Sequence, residues 1–412
     1  MSNQQGSPKT QAAMGANDVI NVALIGCRSM GWADLSSMMK NPGVACVALC
    51  DVDQEVLDRR TADAEKNWGR RPIQYRDYRQ VLENKDIDAV IVGTPDHWHC
   101  LIMTDACAAG KDVYVEKPVA NSIGECDAMI AAQQRYQRVV QVGQQKHSAE
   151  HWKKLDEFIK SGQLGHIGRV SIWANFTYVV MTSVTPDEEP PATLDYDMWL
   201  GPAPQRPYSQ SRNHSWRLFW DYGGGLMTDM GPHLLDQALW HMDIKKVPNR
   251  VIAVGGNFVD AQNKAETLDT LDVVFELDGL NIEWSNTATG QGPYGSVNGL
   301  EFKGENGTII TNYNYWEVIP NGNKMEPTKM MAWGDEHVAH TGNFLDCIRT
   351  RNMQTACTIQ HGALCAKYAH MGNIAARTGL VLSYDDAKHT FHNKQADQFI
   401  THAYRKPWKM FK

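Results

Sequence analysis

No stretch of this 412-residue chain is long and apolar enough to span a bilayer, which argues against a membrane-spanning helix. Positive charge is not in excess. Lys and Arg number 40 against 47 Asp and Glu, a formal net charge of −7, so nothing calls for nucleic acid or an anionic membrane as partner. The nine cysteines are odd in number and form no repeated C-x-x-C. Neither a disulfide framework nor a zinc cluster is expected, and no metal is assigned. Cys27, Cys46, Cys50 and Cys107 lie in apolar contexts and read as buried thiols. There is no internal repeat and no low-complexity tract. The first 18 residues are polar and read as a flexible segment without the apolar core of a signal peptide. Removal of an export signal would also leave such a stretch, so a soluble chain of either cytoplasm or periplasm fits.

What remains is ordinary globular composition, with 42% hydrophobic and 21% charged residues over a length that suits two domains. The most informative stretch is Asn21 to Asp53. Val22 to Ile25 reads as a buried strand, Gly26 to Gly31 as a tight turn, Trp32 to Lys40 as a helix and Val44 to Cys50 as a second strand. A glycine directly after the strand permits the sharp turn, and the helix start points free N–H groups at a pyrophosphate. Asp51 ends the second strand, where a carboxylate accepts hydrogen bonds from the ribose hydroxyls of a dinucleotide. Its charge would repel a 2′-phosphate, so NAD is expected in preference to NADP. The motif Gly26-Cys27-Arg28-Ser29-Met30-Gly31 has Arg28 where the G-x-G-x-x-G pattern has its middle glycine. That guanidinium can contact a phosphate or the adenine face.

Short apolar strands then alternate with helices. Helical segments are expected at Thr61 to Arg71, Tyr78 to Lys85, Cys100 to Ala109 and Ile123 to Tyr136, and strands at Asp88 to Val92, Val113 to Val115 and Val139 to Val142. This alternation specifies a parallel doubly wound sheet over residues 19–150, with Asp51, Thr94, Lys117 and Gln144 at the carboxyl ends of strands, where ligands bind. From 151 to 412 the pattern changes. A helix (Trp152 to Ser161) and a partly alternating strand (Arg169 to Tyr178) lead to a long proline-rich loop, Met181 to Arg212. Next come Gly223-Gly224-Gly225 and a helix, Leu226 to Met242. Antiparallel strands follow at Val251 to Val254, Leu271 to Glu276, Asn281 to Asn286 and Gly307 to Asn312, and then two helices, His340 to Arg351 and His361 to Thr378.

Several residues carry chemistry. Pro118 disfavours helical geometry at Lys117 and aims that side chain into the crevice. Beside a nicotinamide ring its pKa would be lowered, and it would assist proton transfer. Asp229 and His233 are four apart on one helix, so the carboxylate is expected to orient an imidazole base. The same spacing fits a polar pair on a solvated helix face. His97 and His99 flank Trp98 after the third strand, in what reads as a loop; such a loop rarely stays extended, so only one of the two is expected to face the cofactor. Trp199, His214, Trp216, Trp220 and Tyr222 form an aromatic-rich group suited to sugar faces or to a core, with Arg212 and Arg217 among them.

In their order these segments resemble the glucose–fructose oxidoreductase / inositol 2-dehydrogenase family (Gfo/Idh/MocA). The matching pieces are ALIGCRSMG, CDVD, GTPDHWH, AGKDVYVEKP, VVQVGQQ, IKSGQLGHIGRV and GGGLMTDMGPHLLD. The resemblance implies an α/β chain, with an N-terminal Rossmann domain and a C-terminal α+β domain whose large, mostly antiparallel sheet is open. It also implies that some C-terminal helices pack back on the first domain, and that the sheet's open face makes a homodimer or homotetramer. Lys117 matches the family's catalytic lysine, and Asp229 and His233 its aspartate and acid/base histidine. The cofactor set is expected to be Gly26, Arg28, Ser29, Met30, Gly31, Asp51, Thr94, Pro95, Asp96, His99, Glu116, Lys117 and Gln144. Asp96 stands where an asparagine is common.

The leading expectation is an NAD-dependent oxidoreductase acting on a secondary hydroxyl of a sugar, polyol or glycoside. Lys117, His147, His214, Arg217, Tyr222, Asp229 and His233 would hold that substrate. One alternative is redox-neutral, NAD-dependent glycoside cleavage through transient oxidation at C3. Another is a non-catalytic NAD-binding protein.

Overall fold

The computed structural model describes residues 19–412, so the expectation for the first 18 lies outside the described residues. In chain order the first part runs β1 (Ile20–Ile25), α1 (Ser29–Met38), β2 (Val44–Cys50), α2 (Gln54–Trp68), β3 (Ile73–Tyr75), α3 (Tyr78–Glu83), β4 (Ala89–Val92), α4 (Asp96–Ala108), β5 (Asp112–Val115), α5 (Ile123–Tyr136) and β6 (Val140–Val142). The strands form one parallel sheet in the order β3-β2-β1-β4-β5-β6. The central strands β1, β2, β4 and β5 are largely buried on both faces because both are covered, while the edge strand β3 is not. Leu24, Ile91 and Tyr114 face one buried cluster, and Val90, Val92 and Val115 face another. The strand order reverses between β1 and β4, which opens a crevice at their carboxyl ends.

The second part runs α6 (Glu150–Lys160), β7 (Ile167–Ala174), α7 (Tyr196–Leu200), α8 (Gln210–His214), α9 (Gly225–His241), β8 (Arg250–Gly256), β9 (Thr270–Leu277), β10 (Leu280–Thr287), β11 (Asn298–Gly304), β12 (Gly307–Thr311), β13 (Tyr315–Pro320), β14 (Thr328–Met331), α10 (Glu336–Thr350), α11 (Ile359–Thr378) and α12 (Lys394–Asp397). Its eight strands are ordered β14-β13-β12-β11-β7-β10-β9-β8 and pair antiparallel except β7 with β10. Residues such as Leu234, Phe275, Trp284, Phe302 and Tyr368 form a buried cluster under this sheet. Ile252, Val254, Ile319 and Met331 stay exposed. Alternation along β8, where Val251 is buried between exposed neighbours, is the mark of a sheet with one covered face.

The C-terminal helices return to the first sheet. Asn41 Nδ2 donates to Thr341 Oγ1 on α10 at 3.1 Å, Arg351 forks onto Asp112, and the Val142 amide donates to Cys357 O at 3.0 Å. The last residues reach it too, with Trp408 packed edge-on against Trp98 at a 5.0 Å centroid distance. Among the described residues no helix is long and apolar enough to cross a membrane.

Several boundaries differ from the sequence reading. Helix α1 starts at Ser29 rather than Trp32, so Ser29 to Gly31 form its first turn. Helix α4 starts at Asp96 and takes in His97, Trp98 and His99, which are buried rather than in a loop. Pro95 supplies the extended residue before it and Asp96 a carboxylate for its first turn, an N-terminal signal that outweighs the loop-like composition. Strands β3, β11, β13 and β14 have too little apolar periodicity to be read from sequence. The proline-rich loop holds α7 and α8, and it lies over the first sheet. The Gln54 amide donates to Thr193 O at 3.0 Å and the Asp195 amide to Val52 O at 2.9 Å.

Candidate functional site

The crevice begins with backbone. Gly26 has φ +89°, a conformation that a side chain resists, and a Cβ there would lie 2.7 Å from the backbone of Gly93. A Cβ on Gly31 would lie 2.2 Å from Gly26 O. The turns after β1 and β4 therefore touch, and α1 starts at the floor of the crevice. Arg28 is its N-cap in extended conformation, and no side chain caps the first turn.

Above this floor is a cavity of about 380 Å³, lined among others by Gly26, Arg28, Ser29, Met30, Asp51, Thr94, Pro95, Asp96, His99, Glu116, Lys117, His214, Trp216, Arg217 and His233. An uncapped helix N-terminus and the buried, unpartnered Thr94 Oγ1 both open into it or border it. Phosphate oxygens and ribose hydroxyls would satisfy these groups, so the residues present fit a dinucleotide.

At the second strand, Asp51 accepts from the Cys27 amide at 2.8 Å and the Asp53 amide at 3.1 Å, one on each carboxylate oxygen. Each oxygen keeps another lone pair for a ligand. Burial raises its pKa against those hydrogen bonds. Arg28 Nη2 pairs with Asp53 at 2.6 Å. Glu116 is buried, accepts from Gln145 Nε2 at 2.9 Å and has its pKa pushed well up by burial and by Asp34. Burial likewise pushes Asp96 well up. The ring of His99 sits between Pro118 O (2.7 Å) and Thr94 O (2.8 Å) and links the two turns.

The reactive groups meet where α9 abuts the carboxyl end of β5. Gly225 at φ +68° begins α9, and a Cβ there would meet the Thr267 side chain at 2.6 Å. Lys117 Nζ donates to Asp229 Oδ1 at 2.7 Å and to Asp229 O at 3.0 Å. Arg217 Nε reaches the same Oδ1 at 3.1 Å, and the Tyr178 hydroxyl donates to Oδ2. Burial opposes a charge on Asp229, but Lys117 and Arg217 outweigh it and hold its carboxyl far below the usual range. Burial and then the Lys117 charge drive His233 down to about 3, so the ring is neutral at ordinary pH.

This geometry corrects the expectation that Asp229 orients the His233 imidazole. The carboxylate is taken up by Lys117, Arg217 and Tyr178, and His233 Nδ1 is buried without a partner. The i,i+4 spacing puts both side chains on one face, but the cationic groups facing Asp229 attract it more strongly than a neutral ring does. Tyr178 went unrecognised because it ends a strand-like run in sequence, whereas β7 stops at Ala174 and a short turn follows.

Five expected residues lie off the cavity wall: Gly31 is under its floor, Asp229 is behind Lys117, and Gln144, His147 and Tyr222 are turned into packing. Gln144 is buried and donates to Pro232 O at 2.7 Å, bracing α9. His147 bonds to Asp236 at 2.7 Å and stacks on Trp240. Tyr222 is fully buried against Trp199 and His97. Gln144 and His147 follow β6 and Tyr222 precedes the glycine run before α9, but packing turns each of these three side chains inward. His214 is exposed at the rim.

Comparison with known proteins agrees with this architecture. Over 125 residues, 29% of this chain and 27% of the relative, the sequence is 33% identical to an alpha-N-acetylgalactosaminidase of Shewanella oneidensis. The match thus spans about a quarter of the curated relatives' length. The aldose-aldose oxidoreductase from Caulobacter crescentus, solved with glycerol, has a similar structure (TM-score 0.67, 20% identity, covering 89% of this chain and 99% of that one). GenD2 from gentamicin A biosynthesis, solved with NAD, gives a TM-score of 0.63 at 17% identity over 92% and 100%. These structural likenesses speak for the fold. Residues 20–144 match the oxidoreductase family's NAD-binding Rossmann fold and residues 150–410 its C-terminal alpha/beta domain, so the chain belongs to the Gfo/Idh/MocA oxidoreductase family.

Proposed function

We propose that this chain is an NAD-dependent oxidoreductase acting on a secondary hydroxyl carbon of a sugar, polyol or glycoside. The observation that carries the reading is Lys117, held by Asp229 and flanked by His233, in the cavity that contains the dinucleotide-binding turn. Bound NAD would supply the acceptor for the hydrogen and electron pair leaving carbon. Lys117 has three N–H donors and spends two on Asp229, which leaves one for the substrate oxygen. Neutral His233 takes the hydroxyl proton. The negative charge growing on that oxygen is stabilised by Lys117 and Arg217, whose combined charge exceeds that of Asp229. Trp216, with the Arg217 guanidinium 4.1 Å over its ring, offers an apolar wall to sugar C–H faces. The lone pairs left on Asp51 and its negative charge favour NAD over NADP, while Asp53 is taken up by Arg28. The uncovered face of the second sheet, where Ile252, Val254, Ile319 and Met331 stand exposed among ion pairs such as Arg250–Glu276 and Lys329–Glu317, supports self-association through it. Residues 19–150 and 151–412 would act as cofactor and substrate domains.

One second reading has its own support. The similarity to an alpha-N-acetylgalactosaminidase favours glycoside cleavage without net redox change. One experiment separates the two. Purified protein is incubated with sugars, polyols and nitrophenyl glycosides, with and without added NAD, and followed by nicotinamide absorbance and product chromatography. Net NADH formation supports the dehydrogenase. Sugar release without added NAD supports the second reading, and no change in either sinks both.

A further inference from the structure

Away from the cleft, three residues distant in sequence converge. His147 lies in the turn after β6, Asp236 on α9 and His361 in the first turn of α11. His147 Nε2 is 2.7 Å and His361 Nε2 2.6 Å from the same atom, Asp236 Oδ1. One donor atom from each lies within 4.8 Å of the other two. We propose that His147, Asp236 and His361 form a binding site for a divalent transition metal of the zinc class, which ties helix α9 to β6 and α11.

The chemistry of the set supports this. Two imidazoles and one carboxylate are the donors borderline cations prefer, and three protein ligands leave one position for water. Asp236 is completely buried, yet its ion pairs are with these two histidines alone among the described residues. A buried carboxylate needs a compensating charge, and a dication supplies it without another side chain. The ligands are also held in place. Asp236 Oδ2 accepts from Gln237 Nε2 at 3.0 Å, and the His147 ring stacks on Trp240 at 4.4 Å. Such outer contacts orient ligands for a metal. The side chain of His361 is 20% exposed and borders a separate cavity of about 530 Å³, which gives the ion a route in. With a metal bound the Nε2 protons leave, and each nitrogen separates from the oxygen by about 0.6–0.7 Å more than the present 2.6–2.7 Å, because ligands at about 2.0–2.1 Å in a tetrahedron stand roughly 3.3 Å apart.

Asp236 lies three residues beyond His233, so the ion would fix the helix that carries the reactive groups without entering the cleft. The proposal does not depend on the reaction assigned to that cleft. The test uses tag-free full-length protein, stripped with a chelator and titrated with Zn²⁺ and with Co²⁺. The expected result is one equivalent bound per chain, visible absorption of four-coordinate cobalt, and a higher Tm with Zn²⁺. His361→Ala, at a partly exposed position, is expected to keep the circular dichroism of the wild type and to lose at least about 100-fold in affinity, no less than the loss of an outer partner costs. His147→Gln should lose the cobalt absorption as well. Stripped wild-type protein that takes up neither ion overturns the proposal. So does uptake, cobalt spectrum and Tm gain left unchanged by His361→Ala.

Discussion

Lys117 Nζ and Asp229 Oδ1 stand 2.7 Å apart, one just beyond the fifth strand of the first domain and the other on helix α9 of the second. Their side chains are 9% and 13% exposed, so the pair works in a medium where charge counts. Lys117→Ala should lower turnover by about two to four orders of magnitude on an identified substrate, the range of a positioned acid–base group. Asp229→Asn should lower turnover similarly and also cost about 3–5 kcal/mol in urea unfolding, because it leaves the buried Lys117 without its partner. Wild-type turnover in both variants would remove the roles given to them.

The pH profile tests His233. The ring serves as a base only when deprotonated, and in the fold it stays deprotonated down to about 3, against 6.5 for an ordinary histidine. The acid limb of kcat/KM should therefore fall below about pH 5 instead of near 6.5. Stability follows the same sign. The unfolded chain binds more protons at this residue than the folded one between 6.5 and 3, so its contribution is complete above 6.5 and is lost as pH falls. His233→Gln should flatten the decline of stability below pH 6.5, measured by urea unfolding at stepped pH.

The first sheet was legible in sequence, apart from its short edge strand β3, because its buried central strands β1, β2 and β4 are apolar runs. Asp51, Lys117 and Asp229 were legible because strand ends and helix spacing fix where a backbone goes. Side-chain direction was not. Gln144, His147 and Tyr222 stand next to the right elements but point into packing, and Asp229 turned to cations that only the folded chain brings near. The grouping of His147, Asp236 and His361 was invisible for a related reason, since no local spacing joins three segments of the chain.

Cofactor choice rests on Asp51. Asp51→Ala should narrow the ratio of NAD to NADP affinity by about 10-fold or more, the scale of about 1.4 kcal/mol for a lost charge-assisted contact. Because Asp51 also fixes the Cys27 and Asp53 amides, affinity for both dinucleotides should fall. Fluorescence titration with each reduced cofactor measures this. A wild type that prefers NADP would overturn the assignment.

The substrate wall is tested by two substitutions with different expected outcomes. Arg217→Ala removes a contact to Asp229 and the cation over Trp216, so it should raise KM and lower kcat while NAD affinity stays within about twofold. Tyr222→Phe deletes only a buried, unpartnered hydroxyl and should leave KM unchanged. Steady-state kinetics with a fixed NAD concentration distinguishes them.

Gly31→Ala should abolish dinucleotide binding or destabilise the chain by several kcal/mol, because a methyl group 2.2 Å from Gly26 O cannot be accommodated without moving the floor of the crevice. Calorimetry of the variant with and without NAD measures both effects, and a variant that binds and melts like wild type would show that the two turns are not in rigid contact.

The return of α10 and of Cys357 to the first sheet has a consequence for how the protein is made. As the chain leaves the ribosome, the edge of β6 and the apolar side of α1 are complete as sequence long before Phe344, Leu345 and Ile348 exist to cover them. The Val142 amide waits for the carbonyl of Cys357, some 215 residues later. A nascent Rossmann half therefore dwells with an unpaired strand edge and an open greasy flank, the kind of surface that chaperones hold and that aggregates when expression outruns them.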